Sequence, residues 1–344
     1  MEPEIIDPLV DPRWADLAAH HPKASAFHAP GWLEALSRTY GYRPFALTNS
    51  RAEMPLQEGI VLCEVSSWLT GNRVVSLPFS DHCAPLVENQ EVFENLAGWL
   101  AAECERRHWK YLELRPQSWS ADSANRFSPS DTYFLHKLDV TPSSQQLFHN
   151  LHKDSIQRKI RRAEREGVQC ENGRSQSLLD EFYGLLCRTR RRHRLVPQPR
   201  SWFRNLIDCM PEAVIRVARK NKIPIAAIFC LGHRRSVIYK YGCSNEQFHP
   251  LGGMPLLFWK LIEESREAGA QEIDFGRSDA DQHGLITFKD RLGCSKSNLT
   301  YYRCPKTAST KVVGGKWQSM RRVIAITPDA LLPLAGSLLY KHMG

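Results

Sequence analysis

Long hydrophobic runs are missing from this chain of 344 residues. Nothing approaches the ~18 consecutive apolar residues of a membrane-spanning helix. The longest candidate, 223–231, contains Pro224 and reads as a buried strand. The opening, MEPEIIDPLVDPRW, is acidic where a secretory leader is basic. Paired cysteines are missing too: the 10 cysteines are scattered, with no CxxC and no Cys/His ligand spacing. That pattern argues against a disulfide framework and against a structural zinc. Aromatic residues are sparse among the basic clusters, with Trp202 and Phe203 the neighbours of the densest one, so stacking on single-stranded nucleic acid is not indicated. These absences together lead to the expectation of a cytoplasmic protein with no metal and no transmembrane segment.

What is present bounds the architecture. The length exceeds one ordinary core, and 42% hydrophobic residues can fill two. The reading is an N-terminal domain over 1–142, a second over 143–306 and a tail over 307–344. Charge divides the same way: residues 1–140 hold 12 Lys and Arg against 19 Asp and Glu, and the remainder 34 against 18. A basic second half implies an anionic partner, among coenzyme phosphates, a nucleotide-linked sugar, tRNA or an anionic membrane face.

Periodicity and punctuation predict helices over 31–40 and 92–107 and strands over 44–48, 59–65, 73–77, 110–115 and 134–139. In the second half they predict helices over 143–165, 178–194, 201–208 and 255–268, strands over 213–219, 225–231, 236–243 and 272–275, and a late strand holding Tyr301 and Tyr302. Alternating strands and helices indicate an α/β protein with mixed sheets. In the tail, 312–315 is loose, and 329–340 reads as a short apolar helix near Arg321 and Arg322. That helix either packs or touches a membrane surface peripherally.

Three stretches carry candidate chemistry. After strand 236–243, Gly252-Gly253 turns the chain into a helix with Pro255 in its first turn, the order of an anion site at a helix N-terminus. A tight turn before a helix explains it equally. In LHKDSIQRKIRRAEREGV, Ile156, Ile160 and Ala163 mark a buried stripe, leaving Arg158, Arg161, Arg162 and Arg165 on other faces, where phosphate contact competes with surface pairing to Glu164 and Glu166. EIDFGRSDADQHGLITFKDRLG runs from a strand through Gly276 into a loop crowded with Arg277, Asp279, Asp281 and His283, before Phe288 and Lys289. In the first half, Asp81-His82-Cys83 invites a nucleophile reading, but neighbours in a strand point to opposite faces.

The order "DFGRS, spacer, GL, two residues, FK, three residues, G" resembles the C-terminal signature of the Fem-like branch of the GNAT acyltransferases. SLPFSDHCAPLV at 76–87 and the basic helix at 151–168 are similar to two further blocks of that family. The resemblance implies two tandem GNAT-like domains and an N-acyltransferase acting on an envelope or exopolysaccharide-related precursor with an amine. The donor it implies is acyl-CoA, slightly favoured, or aminoacyl-tRNA. A catalytically inert module for anionic glycan or nucleotide-sugar is the rival from another class. The resemblance implies that Lys289 brings charge to the donor phosphate or the developing oxyanion. It also implies that backbone N–H groups around Tyr241 and Gly242 polarise the carbonyl, and that Phe79, Ser80 and Asp81 line an acceptor cleft. Arg277 is read as a clamp for a carboxylate or phosphate, Asp281 or His283 as proton acceptor. Arg158, Arg162 and Phe288 complete the expected substrate contacts. Gly252, Gly253, Met254 and Gly242 are the expected cofactor contacts. The family's pyrophosphate loop reads Q/R-x-x-G-x-G/A, and this chain departs from it: Gln247 lies five residues before Gly252, and Met254 stands at the last small position.

Overall fold

A computed structural model describes residues 2–68, 70–117, 126–305 and 332–344. Contacts among these residues divide the chain into two units, one of 2–133, 298–305 and 337–344, the other of 134–297 and 332–336.

The first unit holds β1 (Glu4–Ile6), α1 (Pro12–His20), α2 (Pro30–Tyr40), β2 (Arg43–Thr48), β3 (Ile60–Val65), β4 (Arg73–Val75), α3 (Gln90–Arg106) and β5 (Leu112–Leu114). Its strands run in the order β1-β2-β3-β4-β5-β12, where β12 is Ser295–Cys304. The β4–β5 pair is parallel and the other neighbours are antiparallel. Asp11 caps α1 by accepting from the Arg13 N–H, and Pro12 suits the first turn because its missing N–H would have had no partner there. α3 buries Phe93, Leu96 and Leu100 with Leu62, Val74 and Leu112 of the sheet. A buried charge cluster braces β5 and β12: Glu113 accepts from Arg115 Nε and Arg303 Nε, each at 2.8 Å. Burial works to raise the Glu113 carboxyl, but the two guanidinium groups outweigh it and hold it below the usual carboxylate range.

The second unit begins within β6 (Ser128–Asp139). It continues with α4 (Ser144–Asn150), a π-helical turn (Lys153–Gln157), α5 (Arg158–Arg165), β7 (Gln169–Gly173), α6 (Gln176–Arg192), α7 (Arg200–Cys209), β8 (Ala213–Lys220), β9 (Ile223–His233) and β10 (Ser236–Ser244). After a 3-10 segment come α8 (Gly253–Glu267), β11 (Glu272–Ser278) and α9 (His283–Arg291). The strand order is β6-β11-β10-β9-β8-β7, with β10 and β11 parallel and the rest antiparallel. One core joins Ile156 and Ile160 to Leu257, Phe258 and Leu261 of α8 and to Ile273 and Phe275 of β11.

Two expectations change. The helix predicted over 143–165 is three pieces, and a π turn carries extra residue per turn, so it re-phases everything after it. The loop predicted after Phe275 is a strand that continues to Ser278, followed by α9. In the tail, α10 (Leu332–Tyr340) is a helix with Leu334 and Leu338 exposed, while 312–315, Arg321 and Arg322 lie outside the described residues. No helix among the described residues is long and apolar enough to cross a membrane. No group of three or more His, Cys, Asp or Glu among them could hold a metal ion.

Candidate active site

The site is built on the two parallel strands of the second unit. β10 and β11 pair only from Ser236↔Glu272 to Ile238↔Asp274, although both strands run on. Each becomes irregular where the pairing stops. β10 shifts register against β9 between Tyr239 and Tyr241. β11 shifts against β6 between Asp274 and Arg277. Such bulges re-aim backbone groups and recur beside active sites.

Two side chains hold the β11 irregularity in shape. Asp274, buried, accepts from the Gly276 N–H at 2.6 Å. Lys289, 2% exposed, reaches back from α9 and donates to Gly276 O (2.9 Å), Arg277 O (3.2 Å) and Ser278 Oγ (2.9 Å). The ammonium is sealed and its three N–H donors are spent on protein. Lys289 is therefore a positioning residue that ties α9 to β11, in place of the expected contact with the donor. Arg277 lies beside it, half-buried.

On β10, the Tyr241 hydroxyl accepts from Trp202 Nε1 at 2.9 Å, and its ring meets Phe203 edge-on. This side chain is committed to packing, which leaves its backbone as the part that can meet a substrate. Gly242 has a local cause: a Cβ there would collide with the Tyr239 hydroxyl. Tyr239 itself meets Phe258 edge-on, with ring centroids 4.8 Å apart.

The glycine pair before α8 also has a packing cause. Gly252 has φ +78°, and a Cβ on it would strike the Lys159 carbonyl oxygen. A Cβ on Gly253 would lie 2.9 Å from Ile225 Cδ1. Met254 packs against the core of the unit. These residues seat α8 against α5, and the expected cofactor loop is instead a close helix contact.

A candidate anion site lies nearby, on α9. A pocket of about 370 Å³ is lined by Ser155, Lys159, His283, Thr287, Phe288 and Arg291, among others. Phe288 forms its apolar wall and packs on Phe258 at 5.5 Å. Lys159 and Arg291 are cationic, Ser155 and Thr287 bring hydroxyls, and His283 opens the first turn of the helix. Cations, hydroxyls and a helix N-terminus make a site suited to phosphate oxygens. Of the expected residues, only Phe288 and His283 border this pocket; Asp281 is exposed just before α9. Arg158 is exposed 3.8 Å from Asp154, and Arg162 lies 4.0 Å from Glu166. Lys159, between them, is the cation that reaches the pocket; the re-phasing π turn hides this from a helical wheel.

His136 on β6 is fully buried behind α9, its Nε2 3.2 Å from Asp290 Oδ1. Burial and the Lys289 charge lower its pKa, and Asp290 opposes them. The unfolded chain takes up a proton below about pH 6.5 that folded His136 refuses. Its contribution to stability is therefore full above that pH and declines as the pH falls toward the lowered folded value. His193 and His249 shift in the same direction. Thermal unfolding midpoints should drop between about pH 6.5 and pH 5, and His136→Gln should flatten that slope.

In the first unit, Ser80 Oγ is spent on Ser76 O (3.0 Å) and Leu77 O (2.9 Å). The backbone oxygen of Asp81 accepts from the Tyr301 hydroxyl at 2.5 Å. Phe79 has φ +63° and packs on Tyr40 at 5.0 Å. Cys83 is buried, 3.4 Å from His28 Nε2, while His82 meets Gln117. Burial pushes the Cys83 thiol up, so it is not an activated nucleophile.

Residues 151–289 match the acetyltransferase (GNAT) domain family. The chain carries a GNAT acetyltransferase domain. Its fold is Fem-like: the crystal structure of FemX is similar at TM-score 0.69 and 15% identity, over 88% of this chain and 97% of that one. The C-terminal domain of a protein from Agrobacterium fabrum assigned as a lysylphosphatidylglycerol synthetase is similar at TM-score 0.57 and 14% identity, covering 91% and 95%. A tandem GNAT protein from the clavulanic acid biosynthesis pathway gives 0.55 and 12%, covering 89% and 100%. No curated protein sequence matches the chain.

Proposed function

We propose that this GNAT acyltransferase moves an acyl or aminoacyl group directly onto an amine of a cell-envelope or exopolysaccharide-related precursor in the cytoplasm, with residues 143–306 as the transferring domain. Acyl-CoA is the favoured donor. The observation that carries the reading is the pocket with the cations Lys159 and Arg291, bordered by His283, on the helix that Lys289 ties to the irregular end of β11. The donor phosphates sit on Lys159 and Arg291. The carbonyl is polarised by backbone N–H groups at the β10 irregularity around Tyr241 and Gly242. The amine nitrogen attacks the carbonyl carbon, the C–N bond forms, the C–S bond of the thioester breaks, and the thiolate leaves. His283, at the pocket wall, accepts the ammonium proton directly or through water.

A second reading, an aminoacyl-tRNA donor, is favoured by the exposed Arg158, Arg161, Arg162 and Arg165 of α5 and by the resemblance to FemX. One experiment separates the two. Purified protein is incubated with a pool of amine acceptors from an envelope-precursor extract and with either acetyl-CoA or a mixed aminoacyl-tRNA, and products are read by mass spectrometry. An acetylated amine supports the first reading and an aminoacylated one the second. No product with either donor counts against both.

A further inference from the structure

The first unit carries a cavity of its own, about 300 Å³, that shares no residue with the α9 pocket. It lies where β1, β2 and β3 meet the chain leaving α3. That volume is at the small end of ligand pockets, which run from about 300 to 1,000 Å³, so it suits one amino acid better than a nucleotide. The sheet register builds its polar side. Arg43 of β2 stands directly opposite Glu64 of β3. Opposite charges at such positions favour closing on each other, yet neither side chain forms an ion pair among the described residues. Glu64 is turned instead toward Trp109, whose Nε1 donates to Glu64 Oε1 at 3.3 Å. Trp109 is itself fixed, 7% exposed and with its backbone N–H on Cys104 O at 3.0 Å.

The other charges of the lining are committed. Arg107 donates from Nε to Glu103 Oε2 at 2.8 Å, with its guanidinium over the Trp109 ring, and Asp7 Oδ1 accepts from the Leu9 N–H at 2.9 Å. One guanidinium and one oriented carboxylate are left for a ligand. The remaining walls are apolar. Phe45 follows Arg43 by two residues and so shares its face of the strand, and its ring lies 6.5 Å from that of Trp109 at 34°. Ile5 of β1, 43% exposed, adds an aliphatic wall.

We propose that this cavity binds a free α-amino acid with an apolar side chain, as the zwitterion. Its carboxylate meets the Arg43 guanidinium, its ammonium meets the Glu64 carboxylate that Trp109 orients, and its side chain lies against Phe45, Trp109 and Ile5. The lining holds two cations and two carboxylates, so a ligand without net charge matches it. An amine that lacks the carboxylate leaves Arg43 unmatched, and a carboxylate that lacks the amine leaves Glu64 unmatched.

The test is ligand-detected NMR titration of the full chain with three probes: L-phenylalanine, phenethylamine, which lacks the carboxylate, and 3-phenylpropanoate, which lacks the ammonium. L-Phenylalanine should bind with a Kd below about 1 mM, and each of the other two at least about tenfold more weakly. Arg43→Gln should weaken L-phenylalanine about tenfold and leave phenethylamine unchanged, whereas Glu64→Gln should weaken L-phenylalanine about tenfold and leave 3-phenylpropanoate unchanged. Glutamine at 64 still offers an oxygen to Trp109 Nε1, so that loss reads charge rather than folding. The Lys159→Gln/Arg291→Gln variant should bind L-phenylalanine as the parent does. A Kd for L-phenylalanine above about 1 mM, an analogue that matches it, parental affinity in either charge variant, or loss of binding in the Lys159→Gln/Arg291→Gln protein overturns the proposal. The readout involves no acyl transfer, so it stands or falls apart from the reaction proposed above.

Discussion

Lys289→Met should destabilise the protein by about 3 kcal/mol, lowering its thermal midpoint by several degrees. Methionine keeps most of the volume, so the loss is electrostatic rather than a cavity. Removing the ammonium strands Gly276 O, Arg277 O and Ser278 Oγ in a region closed to water. A buried acceptor without a donor costs about 1–3 kcal/mol. The β11 irregularity then relaxes and α9 loses its tie, so turnover should fall together with stability. Denaturant unfolding followed by circular dichroism checks the first part. His136 supplies an independent check: the Lys289 charge helps lower its pKa, so the variant should also lose less stability on acidification. A variant as stable as the parent, with donor KM raised alone, would return Lys289 to the role of a phosphate contact.

Gly252→Ala should cost about 2–4 kcal/mol. The alanine must adopt φ +78° and place its Cβ against the Lys159 carbonyl and 3.1 Å from Lys159 Cβ. That neighbour is backbone, so α5 has to move away from α8, and Lys159 moves with it. Donor affinity should fall alongside stability. Gly167 is the internal control: its φ is +68°, but a Cβ there meets nothing within 4 Å. Gly167→Ala should therefore cost only the left-handed backbone strain, about 1 kcal/mol, and leave donor affinity unchanged. Equal losses at the two positions would show that the α5–α8 contact is unimportant.

Element type was legible wherever periodicity was strong. The helices at α6, α7 and α8 and the strands at β8, β9 and β10 fall within a few residues of their expected bounds, because each has an apolar face of one period closed by Gly, Pro or a cap. The family signature was legible as well. Less legible was what its residues do. Lys289 and Gly252 look like phosphate ligands in one dimension, because a lysine near a glycine carries no sign of whether the ammonium meets solvent or a backbone carbonyl. Lys159 and Arg291 were hidden for a different reason. A π turn within a helical pattern shifts the facing of all later residues, and a nine-residue helix after four residues of charged turn reads as loop. In the first unit, α1 was signalled by Asp11 and Pro12, yet its small apolar stripe of Trp14, Leu17 and Ala18 is too short to stand out.

The central claim is that the pocket on α9 grips the phosphates of the acyl donor. Its most direct test is equilibrium titration of CoA against the parent protein, the Lys159→Gln/Arg291→Gln double variant and an Arg158→Gln control. Each pocket cation removed should weaken binding about tenfold, so the double variant should lose about a hundredfold, while the exposed control keeps the parental affinity to within about twofold. Equal affinity for CoA in the parent and the double variant would contradict the claim.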